Sequence, residues 1–116
     1  MVAISIDQNH STGIDIQFIT EKIVNIKHKF LNDREQKYTS NDPLLLTYYW
    51  SIKEALFKVY GKKDAFLKNN FEVKDLAVNS DGGTAKGLIN CNNYSSEHQL
   101  RLKRLGDYVM AYTVNY

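Results

Sequence analysis

Between Asp42-Pro43 and Gly61 lies the stretch that any fold of this chain must be built around. Ser40-Asn41-Asp42-Pro43 is a strong helix start, because a proline in the first turn has no N–H to lose. Gly61 is a natural left-handed stop for the same helix. The run from Leu44 to Tyr60 between them carries Leu46, Tyr49, Trp50, Ile52, Leu56, Phe57 and Tyr60. A helix so apolar on more than one side is expected to be heavily buried. With 116 residues, the chain is long enough to form a real core around it, and residues 1–116 are expected to be one domain.

The flanking segments are read against that helix. Val2 to Ile6 and Gly13 to Ile16 read as two short strands joined by the turn-rich Asp7-Gln8-Asn9-His10-Ser11, an N-terminal β-hairpin. Thr20 is expected to cap a helix reaching about Leu31, with Ile23, Ile26, Phe30 and Leu31 as its apolar stripe. Asn32-Asp33 stops it and caps a short turn through Gln36. Beyond Gly61 the pattern is β. Phe71 to Val78, Thr84 to Asn90, His98 to Leu105 and Tyr108 to Asn115 are the expected strands, turned at Asp81-Gly82-Gly83 and at Leu105-Gly106-Asp107. The class is therefore α+β: an N-terminal β-hairpin, two main helices, then largely antiparallel strands packed against the long helix.

Composition narrows the function. A formal net charge of +2 is too small to argue for nucleic acid. No apolar run is long enough to span a membrane, and no signal-peptide pattern is visible at the N-terminus. Cys91 stands alone, which fits a reducing, cytoplasmic setting. His98, in an expected strand, reads as structural.

The residues that carry chemistry are two acids and their neighbours. Asp15 ends an apolar run, and Glu54 sits in the middle of the long helix with Lys53 before it and Lys58 four residues after. Trp50, Glu54 and Lys58 share one helix face, with Lys53 one position round. An acid on a strand and an acid on a helix can converge on Mg²⁺, which takes few carboxylates and keeps water and ligand phosphates. Gln17 points to the same side of its strand as Asp15 and is suited to hold a metal-bound water. Lysines beside such a cation suit a phosphate-rich ligand. Taken alone, Lys-Glu-x-x-x-Lys is a routine solvated-face pattern and Gly-Ile-Asp a common strand end; it is their joint occurrence with Trp50 that carries the signal.

Gly13-Ile14-Asp15 followed by Trp50-Ser51-Ile52-Lys53-Glu54-Ala55-Leu56-Phe57-Lys58 resembles the signature of the 4′-phosphopantetheinyl transferase superfamily. Phe30-Leu31-Asn32-Asp33-Arg34-Glu35 is similar to the segment that connects its two motifs. The resemblance implies transfer of the phosphopantetheine arm of coenzyme A to a serine of an apo acyl or peptidyl carrier protein. It implies Asp15 and Glu54 as ligands of Mg²⁺, and Lys53 and Lys58 on the phosphates. Glu54 or a metal-bound hydroxide would take the serine proton, so Glu54 and Lys58 are the implied catalytic residues. The basic side of the first helix, Lys22, Lys27, His28 and Lys29, matches where such enzymes dock the acidic carrier; a plain solvated face reads equally well. Lys62-Lys63 reads as a complement to the helix dipole.

Two departures from the pattern matter. Gln17 stands where many members carry a second acid. The short members, which assemble as trimers, have a His-Ser motif near the C-terminus, where this chain reads Leu105-Gly106-Asp107-Tyr108-Val109-Met110. The chain most resembles the second half of the longer, two-lobed members, in which the His-Ser motif closes the first half. His10-Ser11 falls in the expected hairpin turn and is not read as that motif. Either a second copy completes the site in a homo-oligomer, a dimer or trimer, or the chain is a fragment, or it is a non-catalytic relative that binds carrier protein or coenzyme A.

Overall fold

The computed structural model describes residues 12–114, so the strand expected at Val2 to Ile6 and the turn at Asp7 to Ser11 lie outside the described residues. Strand β1 (Ile14–Phe18) leads into a 3-10 helix (Glu21–Ile26) that passes into the single turn α1 (Lys27–Phe30). Helix α2 (Asp33–Thr39), the long α3 (Pro43–Tyr60) and the short α4 (Leu67–Asn70) follow. The strands β2 (Phe71–Val78), β3 (Gly82–Cys91), β4 (Tyr94–Leu105) and β5 (Tyr108–Val114) complete an antiparallel sheet of order β1-β5-β4-β3-β2. The fold is α+β, with α3 laid across one face of the sheet.

The long helix begins and ends where its sequence requires. Asp42 accepts hydrogen bonds from the Leu44 and Leu45 amides at 3.0 and 3.3 Å, and Pro43 occupies the first turn. Gly61 adopts φ 76°, open to it because it has no β-carbon, and donates its N–H to the Phe57 carbonyl. Leu46, Ile52 and Leu56 are fully buried, in one core with Leu100, Leu102, Val109 and Ala111 of the sheet. No helix among the described residues is long and apolar enough to cross a membrane.

The short α4 is not expected from the sequence, and three expected elements differ in type or length. The first helix, expected as one α-helix from Thr20, is 3-10 as far as Ile26, where the backbone breaks at φ −117° before α1. Ile23, Val24 and Ile26 are β-branched and give little α propensity, and only Ile23 among the 3-10 residues is buried. Helix α2 runs to Thr39 instead of Gln36, launched by a full capping box between Asn32 and Glu35. Strand β4 starts at Tyr94, four residues before the expected His98, because Asn92 takes a positive φ of 57° and closes a tight turn from Cys91.

One close approach fixes how β1 meets α3. The Gly13 N–H donates to Thr113 Oγ1, and its carbonyl accepts from the Thr113 amide, both at 2.9 Å. A β-carbon at this position would run into the Ala55 carbonyl and come within 2.9 Å of Val59 Cγ2. The absent side chain of Gly13 and the small Ala55 let strand and helix touch through their backbones. Gly13→Ala is expected to cost roughly 2–3 kcal/mol of unfolding free energy in urea titration, the usual range for forced overpacking. A cost below about 0.5 kcal/mol would mean that β1 shifts freely and does not depend on this contact.

Candidate functional site

The sequence places Asp15 and Gln17 at alternate positions of β1, opposite Ala111 and Val109 of β5. Both partners belong to the core beneath α3, so the two polar side chains share the helix-facing side of the strand. α3 is tied to this strand at two points seven residues apart on the helix. Ser51 Oγ donates to the Asp15 carbonyl at 3.0 Å, and Lys58 Nζ donates to the Ile14 carbonyl at 2.8 Å. Glu54 lies between Ser51 and Lys58 on the helix, half-buried beside the strand.

The charges in this corner feel one another. Asp15 is only 7 % exposed; its Oδ2 accepts from Gln17 Nε2 at 2.8 Å and its Oδ1 faces Lys58 Nζ at 3.4 Å. Burial pushes the Glu54 carboxyl up from the ordinary carboxylate range, the nearby Asp15 charge pushes it further, and Lys58 pulls it back. Two carboxylates in mutual reach, with one flexible ammonium to offset them, form a site short of positive charge. No group of three or more His, Cys, Asp or Glu side chains is gathered anywhere among the described residues. An oxygen-only pair of this kind fits Mg²⁺, which leaves most of its positions to water and to a ligand's phosphates. Trp50, at the near end of the same face, packs edge-on against Phe30 with ring centroids 4.8 Å apart, fastening α1 to α3.

Lys53 is not brought to this corner, and the expectation of it as a phosphate ligand needs correction. Its side chain is fully buried; Nζ donates to Glu35 Oε1 at 2.7 Å and to the Leu67 carbonyl at 3.0 Å. On the helix Lys53 shares the Leu46, Tyr49 and Tyr60 side and not the Glu54 side. Burial pulls its pKa down, against a smaller upward pull from Glu35. The ammonium is thus committed to the interior.

Its partner, Glu35, is the residue that sequence reasoning overlooked. Fully buried, it accepts from Lys53, from the Asn32 amide at 3.0 Å and, through Oε2, from the Val73 amide of β2 at 3.0 Å. The signal was present: Asn32-x-x-Glu35 is a capping-box spacing, which places a carboxylate at the start of a helix. Of the basic side of the first helix, Lys27 turns back to hold the Ser40 carbonyl and Asn41 Oδ1, both at 2.8 Å, while Lys22, His28 and Lys29 point outward or lie near the surface. His98 shares a 2.8 Å hydrogen bond with Ser96 Oγ, and burial lowers its pKa.

The sequence profile of the 4′-phosphopantetheinyl transferase superfamily matches residues 11–113 of the chain. No curated protein matches it significantly.

Proposed function

Because the chain belongs to the 4′-phosphopantetheinyl transferase superfamily, we propose that it moves the phosphopantetheine arm of coenzyme A to a serine of an apo acyl or peptidyl carrier protein, with Mg²⁺ on the pyrophosphate. The observation that carries this reading is the buried Asp15 of β1 with Lys58 of α3 at 3.4 Å, and Glu54 on α3 near enough for its carboxyl to respond to both charges. Phosphoryl transfer asks a protein for positioning and charge stabilisation more than for covalent chemistry. Bound Mg²⁺ would neutralise the pyrophosphate as the bond to the departing adenosine 3′,5′-bisphosphate breaks. Asp15 and Glu54 would hold the cation directly and Gln17 through a water. Lys58 would meet phosphate oxygens from the helix side. Glu54, or a hydroxide on the bound cation, is the group that would accept the serine proton.

The same reading calls for a partner surface. On the sheet face away from α3, Ile16, Phe18 and Tyr108 are each about half exposed, at 54 %, 53 % and 49 %. Phe18 and Tyr108 stack edge-on there at 5.2 Å. In a homo-oligomer this face would be covered by a second copy, which would also bring residues to the nucleotide end of coenzyme A.

The test is intact-mass spectrometry of an apo carrier protein incubated with this chain, coenzyme A and Mg²⁺, using size-exclusion fractions of known mass. A gain of one phosphopantetheine, abolished by chelator, is the expected result. Absence of any gain from a folded protein, beside a working transferase as control, would favour the alternative of a carrier- or coenzyme-binding relative without catalysis.

A further inference from the structure

We propose that Lys58 is a built-in counter-ion of Asp15 that the metal displaces, so that its ammonium is delivered to the ligand's phosphates only when the cation is in place. The inference rests on the reading of Asp15 and Glu54 as the metal pair. Its basis is how completely Asp15 is occupied by this chain's own donors. Gln17 Nε2 takes Oδ2 at 2.8 Å, and Lys58 Nζ stands at 3.4 Å from Oδ1 while donating to the Ile14 carbonyl at 2.8 Å.

A buried carboxylate needs a partner, since an unpaired charge out of water is costly. Asp15 is buried, and Lys58 is the only cation that reaches it among the described residues. Glu54, one turn before Lys58 on α3, adds a second negative charge to the same corner. Lys58 therefore supplies Asp15 with the positive charge that a divalent cation would otherwise supply.

Its hold on Asp15 is nonetheless slight. Half of its side chain is in water (52 %) and its approach to Asp15 is long. The 2.8 Å bond to the Ile14 carbonyl is exposed, so water can replace it when the ammonium leaves. A four-carbon stem lets the ammonium swing without moving the helix. A cation held by Asp15 would repel the ammonium, which would leave Lys58 free to meet a ligand's phosphates.

Calorimetric titration with Mn²⁺ alone, in the absence of coenzyme A, tests the exchange on the wild type, Lys58→Met, Lys58→Arg and Glu54→Gln. Lys58→Met is expected to bind Mn²⁺ about tenfold more tightly than the wild type, and Lys58→Arg about as weakly as it. Equal or weaker binding by Lys58→Met, with wild-type binding that Glu54→Gln abolishes, overturns the exchange and leaves the metal pair standing. No saturable binding by either the wild type or Lys58→Met overturns the metal pair and the exchange together. A crystal structure with Mn²⁺ separates displacement from simple repulsion. Lys58 Nζ should lie beyond about 3.5 Å from both Asp15 Oδ1 and the Ile14 carbonyl; a metal on Asp15 with Lys58 unmoved overturns the proposal.

Discussion

Glu35→Ala is expected to remove roughly 3–5 kcal/mol of unfolding free energy, the cost of stranding one charge of a buried pair. For a domain of ordinary stability this is a large share of the whole. The reason lies in what the carboxylate serves. It neutralises Lys53 at 2.7 Å inside a core where both side chains are fully buried, and it takes the amides of Asn32 and Val73. One side chain thus joins the start of α2, the middle of α3 and the first half of β2. Alanine would leave an ammonium without its counter-charge, held only by the Leu67 carbonyl, and two N–H groups without partners. Glu35→Gln keeps the shape and an acceptor oxygen but not the charge, and is expected to cost less than alanine. Combining it with Lys53→Met, which removes the stranded ammonium, should restore more than half of the loss. Urea titrations of the four proteins measure this. If the double variant is no more stable than Glu35→Ala, the charge pair is not what holds these elements, and the hydrogen bonds to the two amides are.

The contrast between Lys53 and Glu54 shows what a sequence can and cannot tell about such a site. The ends of α3 were legible because their chemistry is local: Asp42, Pro43 and Gly61 act on the turn in which they stand. The strands after Phe71 were legible from alternation and turn residues, apart from the Asn92 turn, where the asparagine does the work of a glycine. The Asp15–Glu54 pairing was legible only through the motif resemblance. Nothing in local propensity says that β1 lies beside β5, outermost among the described strands, a pairing between the two ends of the described chain. For Lys53 the adjacent position on the helix was misleading. One residue step is about 100° of rotation, enough to carry a side chain from the ligand-facing side to the interior. Which side is interior depends on where α2 and β2 pack, and that is tertiary information. The short α4 likewise has no strong signal of its own; Asn70 caps it from behind by accepting the Phe66 amide at 2.8 Å.

Glu54→Gln is expected to lower transfer to the carrier protein by roughly 100-fold or more, the scale for losing a charge aimed at the reacting phosphate group. The same change should leave the fold as stable as before, or more so at neutral pH. Both expectations come from the same feature. Burial and the Asp15 charge make ionisation of Glu54 unfavourable in the folded chain, so its pKa is raised there. At low pH the group is neutral in both folded and unfolded chains and contributes nothing. As the pH rises through the unfolded carboxylate value, the unfolded chain loses the proton first, and stability falls until the raised folded value is passed. Glutamine, neutral throughout, escapes this loss. Urea titrations at about pH 4 and about pH 7.5 should therefore find the two proteins equal at the lower pH and the variant equal or more stable at the higher. Mg²⁺ should reverse the order at the higher pH, because only the carboxylate gains from the cation. Near pH 4 the ion must compete with the proton that Glu54 retains, and its effect should fade. A Glu54→Gln variant that keeps both transfer and the Mg²⁺ response would remove Glu54 from the reaction.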